Sequence, residues 1–339
     1  MKVIQLLNWK LESIEGELES IKEQGFDAIQ INPMQPFKEE KIFHWWSSYQ
    51  PLGFRIGNMF GTKEDLIRLC EKAKEYDIDI IVDVVLNHVA NKDDKNPCIP
   101  SDKVDEEIIT RKDFFKTRLM MKNGDNRFEA TVKNIGLPGL NLDNKDLQNI
   151  IFRYLHELKL CGVKGLRFDA AKHIGLPKDG VDFFKRVKMF LLLNNMYAYG
   201  EFIGGSKEWK DEMSKYLKVL THHDAPMTNN DKKVAFFENH DTFLNTSGEM
   251  NESNTRNLCE EDYIYIYERL RKLFDNTLVY VSPIDENGPY CRNKQNLTCE
   301  EVKKLNEKEY FKNLYLENER IRNINKQNEI ILKLKRKLC

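Results

Sequence analysis

Short apolar runs alternate along this chain with longer segments in which apolar residues recur at helical spacing. Residues 3–9 form the first apolar run, and Leu11, Ile14, Leu18 and Ile21 then recur at intervals of three and four. Residues 78–86 are almost all apolar or β-branched, a pattern typical of a strand buried on both faces. Strands that alternate with helices in this way predict a parallel sheet.

Eight such runs can be found, which favours one closed (β/α)8 barrel, a TIM barrel, over a doubly wound sheet. The predicted strands are 3–9, 26–32, 78–86, 163–170, 196–201, 217–221, 234–237 and 277–281. Helices are predicted from Thr62 onward and over 143–161, 181–193 and 260–274. Lysines 207, 210, 215 and 218 are predicted to face solvent.

The alternation also divides the chain into regions. Residues 1–88 and 143–297 are predicted to form the barrel. Residues 89–142 are polar and irregular, and a stretch of this length predicts a small inserted subdomain after the third strand. Residues 298–339 are charged and predict a helical tail without a strand.

Composition narrows the function classes. The 339 residues carry 53 Lys and Arg against 54 Asp and Glu, and this balance argues against nucleic-acid binding as the main role. No apolar run reaches the roughly 20 residues that a membrane span requires. The first residues do not resemble a secretory signal, and the seven cysteines are scattered, so a cytoplasmic location is expected.

Polar residues that could carry chemistry follow several of the predicted strands. A parallel barrel places its active site where strands end. Asn87 and His88 follow the third strand, Arg167 and Asp169 end the fourth, and Glu201 ends the fifth. His240 and Asp241 follow the seventh. Three carboxylates are therefore expected to converge on one rim.

Converging carboxylates, without a candidate serine or cysteine, suit cleavage of a glycosidic bond by a nucleophile and a proton donor. Arg167 lies two residues from Asp169, so both side chains point to the same face of a strand. We expect Arg167 to lower the pKa of Asp169, and Glu201 to hold its proton in a drier setting. Asp83 is expected to pair with Arg167 inside the barrel.

Four segments resemble, in order, the conserved regions of the α-amylase family of glycoside hydrolases. They read DVVLNH at 83–88, GLRFDAAKH at 165–173, GE at 200–201 and FENHD at 237–241. The segment WWSSYQP at 45–51 resembles the aromatic substrate loop of that family. The resemblance extends over about four-fifths of the chain.

The resemblance implies a retaining enzyme in which Asp169 is the nucleophile, Glu201 the general acid/base and Asp241 the stabiliser of the transition state. Lys172 and His173 match the leaving-group side and favour α-1,4 over α-1,6 links. The complete set of implied substrate-binding residues is Tyr49, His88, Arg167, Lys172, His173, His240, Trp45 and Trp46. One of the two tryptophans could equally be packed in the core.

The family's structural calcium is in doubt for this chain. Asn87 and the carbonyl of His173 match two of its ligands, but Gly139 stands where the family has an aspartate ligand. The insertion is also short, and nothing after the eighth strand resembles the β-sandwich that commonly follows the barrel.

The expected substrate is an α-glucan such as maltodextrin, glycogen or starch fragments. Two alternatives stay open. A 4-α-glucanotransferase would use the same residues, and a non-catalytic carbohydrate-binding or scaffolding barrel would share only the fold. The sequence does not indicate an oligomeric state.

Overall fold

The structure is a computed structural model that describes residues 1–23, 25–38, 42–43, 46–236, 239–241, 278–281 and 297–298. At 42–43, 278–281 and 297–298 the description is of the backbone. Trp45, the whole of the predicted helix 260–274 and all of the tail after Thr298 lie outside the described residues, as do Phe237 and Glu238.

Eight parallel strands close into a barrel, and each neighbours the next along the chain. The bounds are β1 Lys2–Leu6, β2 Ala28–Ile31, β3 Asp79–Val85, β4 Gly165–Asp169, β5 Tyr197–Glu201, β6 Lys218–His222, β7 Lys233–Phe236 and β8 Leu278–Val281. The last strand closes the barrel on the first, with Val3 opposite Val279. All eight predicted strands and the predicted barrel are confirmed.

The helices begin and end at recognisable signals. Their bounds are α1 Leu11–Gly16, α2 Leu18–Glu23, α3 Lys63–Glu75, α4 Glu106–Ile109, α5 Arg127–Val132, α6 Lys145–Leu160, α7 Phe183–Asn194 and α8 Lys207–Met213. Thr62 and Asp65 form the capping box of α3, with each side chain bonded to the other residue's backbone N–H. Asn144 caps α6 by accepting from two backbone N–H groups.

The prediction that the lysines in and after α8 face solvent is correct for Lys207 and Lys215, which are exposed, but wrong for Lys210. Lys210 is 2% exposed and donates to the carbonyls of Gly204 and Gly205. Trp209 and Met213 are buried on the same helix, one turn apart. The helix therefore packs its apolar side against the barrel and uses a lysine to hold the loop after β5.

The long connection between β3 and α6 contains α4, α5 and a 3-10 turn at Lys112–Phe114. Three of its segments lie side by side: the backbone of Leu140 donates to Asn87, and that of Lys116 donates to Gly139. This arrangement fixes residues 115–116 and 138–140 against the end of β3.

A two-residue strand, Leu297–Thr298, pairs antiparallel with Ile42–Phe43. The expectation of a tail without a strand is therefore wrong at its first residue. This pairing joins the region after β8 to the loop that follows β2.

Two apolar layers surround the polar site. The larger lies between the strands and the helices, and it includes Phe168, Phe184 and Leu155. The smaller consists of strand residues that include Val3, Ile81 and Tyr199, and Ile81 lies two residues before Asp83, on the same face of β3. Because interior positions alternate along each strand, the next inward layer is free to be polar.

The helices that the structure describes include none with the length and apolar character of a membrane-spanning segment.

Candidate active site

Arg167 is the centre of the polar layer inside the barrel. It lies on β4 directly opposite Asp83 of β3, and its side chain is 1% exposed. Its Nη1 donates to both carboxylate oxygens of Asp83, each at 2.9 Å, and to Asp169 Oδ1 at 2.7 Å. Its Nη2 lies 2.9 Å from Glu201 Oε1. One guanidinium therefore contacts carboxylates from three neighbouring strands, and the expected pairing of Asp83 with Arg167 is confirmed.

The end of β4 brings Asp169 and Glu201 into their positions. Ala170 follows Asp169 with φ at 48°, a conformation that residues with a side chain rarely adopt. Its backbone N–H donates to Glu201 Oε2 at 2.8 Å. Gly200 leaves room for this approach, since a Cβ there would lie 2.7 Å from the Ala171 Cβ. The Glu201 carboxyl is thus held by a cation on one oxygen and a backbone donor on the other.

His240 and Asp241 reach the same group of acids from the segment after β7. Gln5 donates through its Nε2 to His240 Nδ1 at 2.8 Å, so the ring of His240 carries its proton on Nε2. That nitrogen lies 3.7 Å from Asp241 Oδ2. Burial and the charges of Glu201 and Asp169 all raise the pKa of Asp241, so Asp241 lies near these two acids.

Tyr49 packs between these groups. Its ring stacks on that of His240 with centroids 5.1 Å apart, and its hydroxyl donates to Asp83 Oδ2 at 2.9 Å. The guanidinium of Arg167 lies 5.9 Å from the centre of the ring. Tyr49 therefore presents to the site an aromatic surface that is fixed at both its face and its hydroxyl.

Four carboxyl groups, Asp83, Asp169, Glu201 and Asp241, form what we call the acid cluster. Burial raises the pKa of each, and for Asp241 burial and the charge of Glu201 raise it to about 8. Arg167 acts in the opposite direction on all four. Because one guanidinium faces four acids, the cluster holds protons that isolated carboxylates would lose.

The expectation that Arg167 lowers the pKa of Asp169 is therefore wrong in its net result. Arg167 does favour the ionised form, but the burial of Asp169 outweighs it and the pKa of Asp169 is raised. For Glu201, whose pKa is also raised by burial, the expectation of a drier setting is confirmed.

His88 is buried at the end of β3, with both ring nitrogens engaged. Its Nε2 donates to the backbone oxygen of Tyr49 at 3.0 Å, and its Nδ1 accepts from Asn87 Nδ2 at 3.4 Å. Burial lowers the pKa of His88 to about 4, so the ring is neutral at ordinary pH. In this state His88 positions Tyr49.

Lys172 and His173 follow Asp169 in a 3-10 turn, Ala171–His173. Lys172 Nζ donates to the carbonyl of Ile203 in the loop after β5. His173 Nδ1 lies 3.2 Å from the carbonyl of Ala130, and burial lowers the pKa of His173 to about 3. Trp46 is 42% exposed, whereas Trp45 lies outside the described residues.

Lys116 was missed by the sequence reasoning. Its Nζ donates to Asn87 Oδ1 at 2.8 Å and to the backbone oxygen of His173 at 2.7 Å. These are the two oxygens that the resemblance assigned to calcium. Burial lowers the pKa of Lys116 to about 7, and both contacts can be made by an ammonium or by an amine. One lysine within a polar stretch gave no signal of this role.

This chain is similar in sequence to known proteins. Residues 10–189 match the family described as "Alpha amylase, catalytic domain". An alpha-amylase of Clostridium acetobutylicum is 33% identical over 236 residues, which are 64% of this chain and 30% of that protein. An alpha-amylase of Thermomonospora curvata is 30% identical over 183 residues, or 51% of this chain and 30% of that protein. The chain thus spans less than a third of either relative.

Solved structures agree on the fold. Alpha-amylase I from Eisenia fetida gives a TM-score of 0.68 at 18% identity, covering 84% of this chain and 66% of that one. The alpha-amylase of Geobacillus thermoleovorans, solved in complex with acarbose, gives 0.65 at 16% identity, covering 90% and 77%. A cyclomaltodextrin glucanotransferase gives 0.61 at 18% identity, covering 85% and 67%.

Proposed function

Because this chain belongs to the α-amylase family, we propose that it cleaves α-1,4-glucosidic bonds of maltodextrin, glycogen or starch fragments with retention of anomeric configuration. The residues proposed to act are Asp169 as nucleophile, Glu201 as general acid/base and Asp241 as stabiliser of the transition state.

The observation that carries the proposal is the shared guanidinium of Arg167. It contacts Asp169 at 2.7 Å and Glu201 at 2.9 Å, so these two acids lie at the same end of adjacent strands. A retaining mechanism needs two carboxyl groups about 5–5.5 Å apart, on either side of one glycosidic bond. Arg167 holds Asp169 through Nη1 and Glu201 through Nη2, and two acids held by one planar guanidinium suit a separation of this size.

In the first step, an oxygen of Asp169 attacks the anomeric carbon while protonated Glu201 gives its proton to the glycosidic oxygen. The bond between carbon and oxygen breaks, and a covalent ester to Asp169 forms. The raised pKa of Glu201 favours the protonated form that this step requires. Asp241 would offset positive charge that develops on the sugar ring.

In the second step, the Glu201 carboxylate takes a proton from water, and the hydroxide oxygen attacks the same carbon. Asp169 leaves as a carboxylate, and the product keeps its original configuration. The backbone N–H of Ala170, 2.8 Å from Glu201, can stabilise the ionised form between the two steps. The protonation state of Glu201 therefore alternates while its position stays fixed.

The test compares two substrates that differ in their need for a proton. Soluble starch needs protonation of the leaving oxygen, whereas α-maltosyl fluoride releases fluoride without it. Glu201→Gln should lose about 10²–10⁴-fold on starch and keep rapid formation of a glycosyl-enzyme from the fluoride. Asp169→Asn should lose activity on both, and intact-protein mass spectrometry should find no glycosyl adduct.

Asp94→Asn serves as the control, because this acid of the insertion is exposed to solvent, whereas the acids of the cluster are buried. It should retain wild-type rates on both substrates. If wild type and Glu201→Gln release reducing sugar equally slowly, the enzyme proposal is refuted and the non-catalytic alternative stands.

Transfer to a sugar hydroxyl is the second candidate, because the first half-reaction is the same. A glucanotransferase is among the proteins with a similar fold, at an identity that carries no argument about activity. Incubation with maltoheptaose separates the two: products longer than the substrate indicate transfer, and shorter products alone indicate hydrolysis.

A further inference from the structure

The side chain of Lys116 fills the position at which the family resemblance expects calcium. The two oxygens matched to calcium ligands, Asn87 Oδ1 and the carbonyl of His173, both accept from Lys116 Nζ, at 2.8 and 2.7 Å. Both belong to uncharged groups. Calcium in proteins takes six to eight oxygens and gains affinity from carboxylates, so these donors fit it poorly.

Gly139 leaves no space for the missing carboxylate while Lys116 holds its position. A Cβ at this position would lie 2.8 Å from Lys116 Cδ and 2.6 Å from Asn134 Oδ1. The aliphatic part of Lys116 thus occupies the space that an aspartate side chain would need. The lysine side chain can lie here because residue 139 has no side chain.

The backbone around these residues holds Lys116 in this position. Lys116 N donates to the carbonyl of Gly139 at 2.8 Å, and Gly139 N donates to Asn134 Oδ1 at 2.7 Å. Leu140 N donates to the carbonyl of Asn87 at 2.7 Å. The lysine therefore extends from a fixed segment of the insertion to the loops after β3 and β4.

We propose that the Lys116 amino group replaces the structural calcium, and that this chain folds and keeps its site in shape without a bound divalent cation. A metal bridges segments by collecting their oxygens around one centre. Here Nζ, with up to three hydrogens to donate, makes the same connection between Asn87 and His173 through hydrogen bonds. The connection continues through Asn87 to His88 and so to Tyr49.

The experiment measures stability and metal binding, so its outcome does not depend on whether the proposed activity is correct. Wild-type protein is dialysed against EDTA and then titrated with calcium chloride by isothermal titration calorimetry. Thermal unfolding is followed with EDTA and with millimolar calcium. We expect no saturable binding and the same unfolding midpoint in both solutions.

Lys116→Met removes the donor and keeps most of the aliphatic chain. It leaves two acceptors without their partner, so the unfolding midpoint should fall by about 3–6 °C. Lys103→Met is the matched control, because Lys103 is an exposed lysine of the same insertion, and its midpoint should stay within about 1 °C of wild type.

Saturable binding of one calcium by wild-type protein, or a midpoint lowered by EDTA, would overturn the proposal. So would a Lys116→Met variant as stable as the Lys103→Met control. Should Lys116→Met yield no folded protein, the wild-type titration alone decides.

Discussion

Replacing Arg167 by leucine tests the electrostatic reasoning most directly. Arg167 is 1% exposed and holds Asp83, Asp169 and Glu201 at 2.7–2.9 Å. Removing one partner of a buried ion pair typically costs about 3–5 kcal/mol, because the remaining charge stays buried without compensation. For this chain, a loss of that size should lower the unfolding midpoint by roughly 4–7 °C at pH 7.5.

The pH dependence of this stability loss tests the electrostatic explanation more specifically than its size does. Burial raises the pKa of each acid in the cluster above its value in the unfolded chain, and Arg167 acts against that rise. Without Arg167 these pKa values rise further. A carboxyl with a raised pKa stabilises the fold at low pH, and this stabilisation is lost as pH rises toward the folded pKa.

The deficit of Arg167→Leu should therefore be large at pH 7.5 and smaller at pH 5, where the acids are protonated without their cation. The assay is thermal unfolding by circular dichroism at several pH values. Arg153→Leu is the control: its pair with Glu107 is exposed on both sides and contributes at most about 1 kcal/mol. A deficit that is absent at pH 7.5, or that grows as pH falls, would refute the reasoning.

Three further outcomes are expected. Gly200→Ala should lower the free energy of unfolding by about 1–3 kcal/mol in denaturant titrations, since its Cβ would lie 2.7 Å from both the Ala171 Cβ and Leu217 Cδ1; an unchanged midpoint would contradict this packing. Tyr49→Phe should cost about 1–3 kcal/mol in the same assay, because Asp83 loses a buried donor; a neutral result would mean that the hydroxyl does not bond there. Relative to Asp241→Asn, wild type should lose stability between pH 5 and pH 8 as Asp241 ionises, and this comparison cancels the buried histidines and Lys116, whose lowered pKa values act in the opposite direction; a stability difference that stays constant over this range in thermal unfolding would contradict the raised pKa of Asp241.

The strands could be predicted from sequence because each is a short apolar run, and a closed parallel barrel then places each strand beside the next one along the chain. That Arg167 and Asp169 point to the same face of their strand follows from their separation of two residues. These rules place the candidate site without any knowledge of distances. Both rules use only residues that are close in sequence or that occupy the same place in successive strand–helix units.

What could not be predicted depends on contacts between distant segments. Lys210 is one of several lysines in a charged stretch, yet it is buried because its amino group reaches the carbonyls of Gly204 and Gly205. Lys116 meets Asn87 and His173 only because the insertion folds back on the barrel. The net rise in the pKa of Asp169 likewise reflects how deeply the acids are buried together, a property of packing that spacing does not encode.

The pairing of Lys2–Leu6 with Leu278–Val281 has a consequence for synthesis on the ribosome. The outer edge of the first barrel strand stays uncovered until the last barrel strand has been synthesised and pairs with it. Until then, a nascent chain carries two open sheet edges, the kind of surface on which chains aggregate or recruit chaperones. Translation arrested before residue 278 would leave seven strands with no means of closing the ring.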